Sequence, residues 1–252
     1  MLRSQSRLRP VPPSPEVFAR LYMEFVRNGK PAGLTFAQYL RAIGFTDPSD
    51  DIDGMDDSAT ALAETPGGPA LISVPQQKVV GLVTIIVLLI DFDDLPGQRP
   101  AQEFEDLLFS DSVYPTGSLR DYFREVSAGK VAVSGTVHGW MRMPKSYSFY
   151  TNNESGMKGT SYPRNAQRMA EDAVAVAIAD GVVFPATLDV LHTGAVTGLF
   201  LIHAGRGAEE LSPPMSKQQI WSHKWFLPNP ATVNTNLVAG DRKSTRLNSS
   251  HG

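Results

Sequence analysis

The sequence predicts an α/β protein, a twisted sheet flanked by helices and preceded by a short helical pair. Residues 79–92 and 198–203 are short apolar runs rich in β-branched residues, as is typical of strands buried on both faces of a sheet. Between them, residues 163–180 place apolar side chains at i, i+3, i+4 and i+7, the spacing of an amphipathic helix. Strands that alternate with helices indicate an α/β arrangement.

Residues 1–46 contain the helical pair. Ser14 can cap a helix whose first residue is Pro15, because proline has no N–H to lose at that position. Thr35 and Gln38 have the spacing of a capping box, which predicts the start of a second helix. The two helices offer an apolar face but too few residues for a core, so we expect them to pack against the rest of the chain.

Residues 47–78 are rich in aspartate, proline and glycine, and we interpret them as a solvated acidic linker. Asp51, Asp53 and Gly54 hint at a calcium loop, but the full spacing D-x-D-x-D-G-x5-E is absent. The main domain follows at residues 79–240.

Three further elements are predicted within this domain. Residues 102–109 form a short helix, and Ser118 with Asp121 makes a capping box that opens another. Residues 130–140 alternate between apolar and polar side chains, which indicates a strand with one exposed face. Residues 220–225 are predicted as a short edge strand.

Composition excludes several classes of function. The 252 residues carry a net charge of -3, and their 23 Lys and Arg residues are scattered, so no basic surface for nucleic acid is expected. There is no cysteine, which excludes disulfides and thiolate chemistry. The longest apolar run, residues 79–90, is too short to span a bilayer, which takes roughly 20 residues. The first residues lack the apolar core of a signal peptide.

The C-terminal tail, residues 241–252, departs from this pattern. Its string RKSTRLNSSH resembles translated vector sequence, and Leu247 is its only large apolar residue. We therefore expect a non-native tail without fixed structure, because it has little apolar surface to offset the entropy of ordering. A natural polar tail is the alternative.

Five segments in order resemble a known family: VLLIDFDD, TGSLRDYFREVSAGKVAVSGTVHGW, YPRNAQRMAEDAV, GLFLIHAGRGAEE and IWSHKW. Together they resemble the immune inhibitor A-like metallopeptidases, peptidase family M-six. The resemblance implies a zincin-like N-terminal subdomain, a helical pro-region before it, a secreted enzyme and polypeptide substrates. It also implies a zinc site on an H-E-x-x-H helix, where two His bind the metal and the Glu is the general base.

This chain departs from the family in its histidines. They lie at positions 138, 192, 203, 223 and 251, and no two are four residues apart. We therefore expect a fragment that lacks the H-E-x-x-H segment, binds no zinc and is inactive as it stands. The acidic, calcium-type loop that the family often carries is reduced here to one carboxylate, Asp189.

Several residues are candidates for a site. Asp91, Asp93 and Asp94 follow the first buried strand and form a possible cation cluster, or simply end that strand in solvent. A second candidate segment comprises Ile220, Trp221, Ser222 and His223. It is either a possible substrate-cleft strand, which would pair with an extended peptide, or an aromatic-anchored loop packed on the core.

Two other candidates have weaker support. His203 is either a residue lining the cleft or a structural histidine bonded to backbone. The Gly205-Arg206-Gly207 loop suggests phosphate binding, but the glutamates that follow it would repel phosphate.

A second functional hypothesis is a non-catalytic α/β peptide-binding or interaction domain on the same scaffold. If the chain is instead a fragment, one face of the sheet should lack its cover, and we expect marginal stability.

Overall fold

The computed structural model describes residues 9–10, 14–28, 33–43, 79–192, 194–225, 227–234, 237–239 and 246–251. The linker predicted at 47–78, with its calcium hypothesis, lies outside the described residues. The helices are α1 (Pro15–Arg27), α2 (Phe36–Ala42), α3 (Ala101–Phe109), α4 (Leu119–Val126), α5 (Tyr147–Thr151) and α6 (Ala166–Ala179). The strands are β1 (Arg9–Pro10), β2 (Gly81–Asp91), β3 (Val131–Arg142), β4 (Gly198–His203), β5 (His223–Lys224), β6 (Ala231–Asn234), β7 (Leu237–Ala239) and β8 (Arg246–His251).

The central sheet has the strand order β3-β2-β4-β8, and all of its strands run parallel. Ile86 pairs with Leu199 and Ile90 with His203, so β2 and β4 are neighbours inside the sheet. This confirms the predicted inner strands. Parallel strands need crossover connections, and α6 lies on the crossover that leads to β4.

Both faces of the sheet are covered. On one face, Ile86, Leu88 and Ile90 pack with α6, whose inner surface is mostly alanine. Small side chains let that helix lie close to the strands, as predicted. On the other face, Ile85, Val87 and Leu89 share a core with the following residues of α3 and β3: Phe104, Leu108 and Val133.

The prediction of an uncovered sheet face is therefore wrong for the centre of β2. Residues 85–90 are at most 4% exposed. The physical reason is that the amphipathic helix α3 and the shorter α4 occupy the second face. At the start of β2 it is the opposite face, the one that α6 covers further along the strand, that is open, and Leu82 there is 59% exposed.

The predicted helix starts are observed. The Ser14 side chain accepts a hydrogen bond from the Val17 N–H, and Pro15 is the first residue of α1. The Ser118 hydroxyl accepts from the Asp121 N–H while the Asp121 carboxylate accepts from the Ser118 N–H, which completes the capping box. Thr35 and Gln38 exchange the same pair of bonds.

Strand β3 is an edge of the sheet and has one covered face. Val131, Val133 and Val137 pack toward the core under α3 and α4. Ala132 and Thr136 point the other way and are exposed. The alternation predicted for residues 130–140 is therefore confirmed.

The helical pair packs on the main domain, as expected. Val17, Leu21 and Leu40 form a small core with Ala208 and Trp221. A short strand extends this contact: β1 pairs antiparallel with β5. The N-terminal segment and residues 208–224 are therefore one packed unit, although they lie far apart along the chain.

The tail differs from its prediction. Arg246–His251 form β8, which pairs with β4 in the parallel direction. The expectation of no fixed structure is wrong for these six residues, because backbone pairing with a preformed strand does not require apolar side chains. Among the described residues, no helix is long and apolar enough to cross a membrane.

Candidate functional site

The carboxyl ends of β2, β3 and β4 meet at one edge of the sheet, where α/β proteins commonly place their sites. Four candidate residues lie there, namely Asp91 at the end of β2, the following Asp93 and Asp94, and His203 at the end of β4. Arg142, the last residue of β3, joins them.

Arg142 binds two of the predicted carboxylates. Its Nε and Nη2 donate to Asp91 Oδ1 and Oδ2 at 2.7 and 3.2 Å, and its Nη1 donates to Asp93 Oδ1 at 2.7 Å. The Gly97 N–H also donates to Asp91 Oδ2, at 3.0 Å. Hydrogen bonds to Asp91 and then to Asp93 raise the pKa of Arg142, so the guanidinium stays charged. The single positive charge of Arg142 offsets part of the negative charge of the two aspartates at the end of β2.

Asp94 has a different partner. Its carboxylate accepts hydrogen bonds from the N–H groups of Tyr147 and Ser148, at 2.7 and 3.4 Å, where α5 begins. A carboxylate at a helix N-terminus satisfies orphan amides and complements the helix dipole. All three aspartates thus have structural partners. Within the part of the chain that the structure describes, no three His, Cys, Asp or Glu side chains are grouped to hold a metal ion.

His203 is fully buried, and its Nδ1 lies 2.8 Å from the carbonyl oxygen of Ala204. Its ring centre is 5.7 Å from that of Tyr147. This arrangement agrees with the interpretation of His203 as a structural histidine bonded to backbone.

Tyr147 joins the end of the sheet to the predicted substrate segment. Its hydroxyl accepts a hydrogen bond from the Ile220 N–H at 2.8 Å and donates to Gln219 Oε1 at 3.4 Å. Burial raises the pKa of Tyr147, so the phenol is protonated at neutral pH and can make both bonds.

The segment Ile220, Trp221, Ser222 and His223 is buried, with side chains at most 4% exposed. Its backbone is also bonded: the Trp221 N–H donates to Ser155 O at 3.1 Å, and the Ser222 N–H to Glu209 Oε2 at 3.0 Å. Only His223–Lys224 form a strand, and that strand pairs with β1. Residues 220–222 are therefore a loop packed on the core, which is one of the two arrangements that the sequence left open. They do not lengthen strand β5.

Desolvation lowers the pKa of His223 to about 4, and its Nδ1 lies 2.6 Å from the Trp221 carbonyl oxygen. The imidazole is therefore neutral at pH 7, and the bond to Trp221 fixes its position at the start of β5.

The loop considered for phosphate binding leads into a single short helical turn, Ala208–Glu210. Arg206 bonds Glu210 at 3.4 Å, and the Glu209 carboxylate is buried. At the reduced acidic loop, Asp189 Oδ2 accepts from the Gly194 N–H at 2.8 Å and closes a turn.

A comparison with known protein families identifies the family to which this fold belongs. The family described as immune inhibitor A peptidase M6, catalytic domain, matches residues 78–246, which is more than half of the chain. The chain belongs to this family. The matched range begins just before β2 and includes the whole core of the sheet, so the fold described above is that of an M6 metallopeptidase domain.

Two relatives show how similar this chain is to known proteins. The pre-pro-metalloprotease PrtV of Vibrio cholerae serotype O1 (strain M66-2) is 29% identical over 177 aligned residues, which cover 57% of this chain and 19% of PrtV. Immune inhibitor A of Bacillus thuringiensis subsp. alesti is 25% identical over 181 residues, covering 59% of this chain and 26% of that protein. The chain thus spans about a fifth to a quarter of the length of these curated relatives.

Within the M6 domain, one network was missed by sequence reasoning. Glu171 on α6 accepts from the Asn229 N–H at 2.8 Å and from the Tyr162 hydroxyl at 2.8 Å. Asn229 Nδ2 in turn donates to that same hydroxyl at 2.9 Å. The network ties the loop ahead of β6 to α6. Its only signal in the sequence is an acidic residue on an amphipathic helix that carries other polar residues too, which is too common to interpret.

Arg142 was missed for a different reason. A basic residue at the end of one strand and acidic residues at the end of its parallel neighbour must meet at the same edge of the sheet. The adjacency of β2 and β3 would have identified the pair.

Proposed function

We propose that this M6 metallopeptidase domain is part of a secreted zinc metalloendopeptidase that hydrolyses peptide bonds in polypeptides, and that the chain has no peptidase activity by itself. The family match, which covers strands β2, β3 and β4, supports the enzyme class. The histidine spacing supports the inactivity, because none of the five histidines has a partner four residues away.

The residues of this chain that the structure describes do not fit a catalytic zinc ion. Such a site needs three protein ligands with one position left for water. His203 and His223 are buried and direct Nδ1 to backbone carbonyl oxygens, and the aspartates at the sheet edge are bonded to Arg142 and α5. We derive no catalytic step through a metal. The proposed contribution of this chain is the scaffold on which a zinc-binding helix would rest.

A polypeptide substrate is the proposed partner. The antiparallel pairing of β1 with β5 supports it, since a short extended segment lies along His223–Lys224 there. Export is proposed from the family resemblance, and the Vibrio relative, a pre-pro-metalloprotease by name, supports it.

The covered sheet also supports a second candidate, a self-contained, non-catalytic domain that binds peptides. Both faces of β2 are packed over residues 85–90, so the domain does not depend on an additional cover there.

Zinc retention tests the proposal. The purified chain is loaded with zinc, dialysed against a mild chelator and analysed by atomic emission. We expect well under about 0.1 zinc per chain, because the residues that the structure describes contain no group of three metal-binding side chains. Stoichiometric zinc would contradict the proposed inactivity. A longer form of the protein that includes an H-E-x-x-H segment is the matched control and should retain one zinc.

A further inference from the structure

The outer edge of β4 pairs with a segment whose sequence is unsuited to a sheet. Residues 198–203 align one to one with residues 246–251, from Gly198 opposite Arg246 to His203 opposite His251. The paired sequence, RLNSSH, contains asparagine, which strands disfavour, and none of the β-branched or aromatic residues that strands favour. Side-chain preference therefore does not account for this pairing.

The family comparison also separates β8 from the rest of the sheet. The match to the M6 domain ends at residue 246, where β8 begins. Almost all of the pairing segment thus lies beyond the part of the chain that resembles the family.

Strand β4 is a preformed partner. It is held on its other side by β2, and Leu199, Leu201 and Ile202 are at most 2% exposed. A Cβ added at Gly198 would lie 2.4 Å from Ile85 Cγ2, so β4 also packs tightly against its neighbour at its start. The outward-facing N–H and C=O groups of a fixed strand are already aligned for pairing. Binding therefore costs conformational entropy only in the incoming segment.

We propose that the outer edge of β4 is a strand-acceptor site, which binds an extended polypeptide in the parallel direction through backbone hydrogen bonds and with little demand on its sequence. In this chain the tail fills the site, helped by a connection of six residues, 240–245, that keeps it at high effective concentration. The site extends the proposed function but does not depend on it, because strand binding requires neither zinc nor peptidase activity.

Peptide binding in trans tests the proposal. A chain ending at Gly240 is mixed with a fluorescent peptide of residues 241–252, and anisotropy is recorded up to about 1 mM chain. We expect saturable binding to the shortened chain and at least about tenfold weaker binding to the full chain, whose site is filled. A scrambled peptide of the same composition should bind within roughly threefold of the original.

Proline provides the matched control. A peptide with Asn248→Pro and Ser249→Pro lacks two consecutive N–H groups, one of which must face β4 in a strand. It should bind at least about tenfold more weakly. Equal binding of the proline peptide, or no binding of any peptide to a shortened chain with a native circular dichroism spectrum, would overturn the proposal.

If the shortened chain does not fold, amide exchange in the full chain tests the acceptor site instead. The same two substitutions are made in the full chain, and amide exchange is followed at Leu199 and Leu201. Exchange that is at least about tenfold faster at β4, with unchanged exchange in α6, supports the acceptor site. Unchanged exchange at β4 would overturn it.

Discussion

The hydroxyl of Tyr147 accepts a hydrogen bond from the backbone N–H of Ile220, 73 residues further along the chain. Both residues are buried, so this bond satisfies a backbone donor that water cannot reach. It fixes the segment 219–223 against the end of the sheet.

Replacing Tyr147 with Phe should therefore destabilise the protein. The change keeps the ring but leaves the Ile220 N–H unsatisfied, which costs about 1–3 kcal/mol. For a chain of this size, the thermal midpoint should fall by about 2 to 12 °C. Thermal unfolding followed by circular dichroism measures it, with Tyr122→Phe on the exposed surface as control. Equal midpoints for both variants would contradict the role of the Tyr147 hydroxyl.

Asp91 and Asp93 should differ in their effect on stability, although both bind Arg142. The Asp91 side chain is 8% exposed and also accepts from the Gly97 N–H, whereas that of Asp93 is 85% exposed. Solvent screens the second pair, so Asp93→Asn should leave the urea midpoint unchanged. Asp91→Asn should lower it. A larger effect from Asp93→Asn would reverse this account of the sheet edge.

His223 should make the protein acid-sensitive between pH 6.5 and 4. Its pKa falls from an ordinary value of 6.5 to about 4 in the folded state. The unfolded state therefore binds the proton first, and stability is full above pH 6.5, falls as the pH drops, and levels off for this group below pH 4. The full loss is on the order of 3 kcal/mol.

Urea unfolding at several pH values measures the effect of His223. The variant His223→Gln should show a flatter dependence between pH 6.5 and 4 than the parent protein. His138→Gln, on the open face of β3, is the matched control and should keep the parent slope. An unchanged slope in His223→Gln would assign the acid sensitivity to other groups.

Glu171 should hold the loop ahead of β6 in place. Replacing it with Ala removes the acceptor for Asn229 and Tyr162, so amide exchange at residues 229–234 should accelerate more than exchange in β2 or β4. Glu103→Ala, which breaks only an exposed pair with Arg99, serves as control. Uniform acceleration over the whole domain would indicate general destabilisation and argue against a local anchor.

The elements that could be predicted from the sequence are those whose signals are local. Each of these signals depends only on residues nearby in the sequence: the apolar runs of β2 and β4, the helical period of α6, and the capping residues Ser14 and Ser118. Their physical causes, namely burial and helix-end hydrogen bonds, are therefore visible in a short stretch of sequence.

The contacts that could not be predicted are between segments distant in sequence. The pairing of Arg142 with Asp91 depends on which strands are neighbours, and the pairing of β1 with β5 depends on where the helical pair packs. The prediction for the tail was wrong because it considered only the tail's own side chains. The outer edge of β4 supplies backbone partners that no property of residues 246–251 reveals.

Peptide hydrolysis tests most directly the central claim that this M6 domain is a scaffold without its own catalytic zinc site. The purified 252-residue chain is incubated with zinc and fluorescently quenched casein, beside a longer form that contains an H-E-x-x-H segment. The account predicts hydrolysis by the longer form, abolished by a chelator, and none above background by the chain alone. Zinc-dependent hydrolysis by the 252-residue chain itself would contradict it.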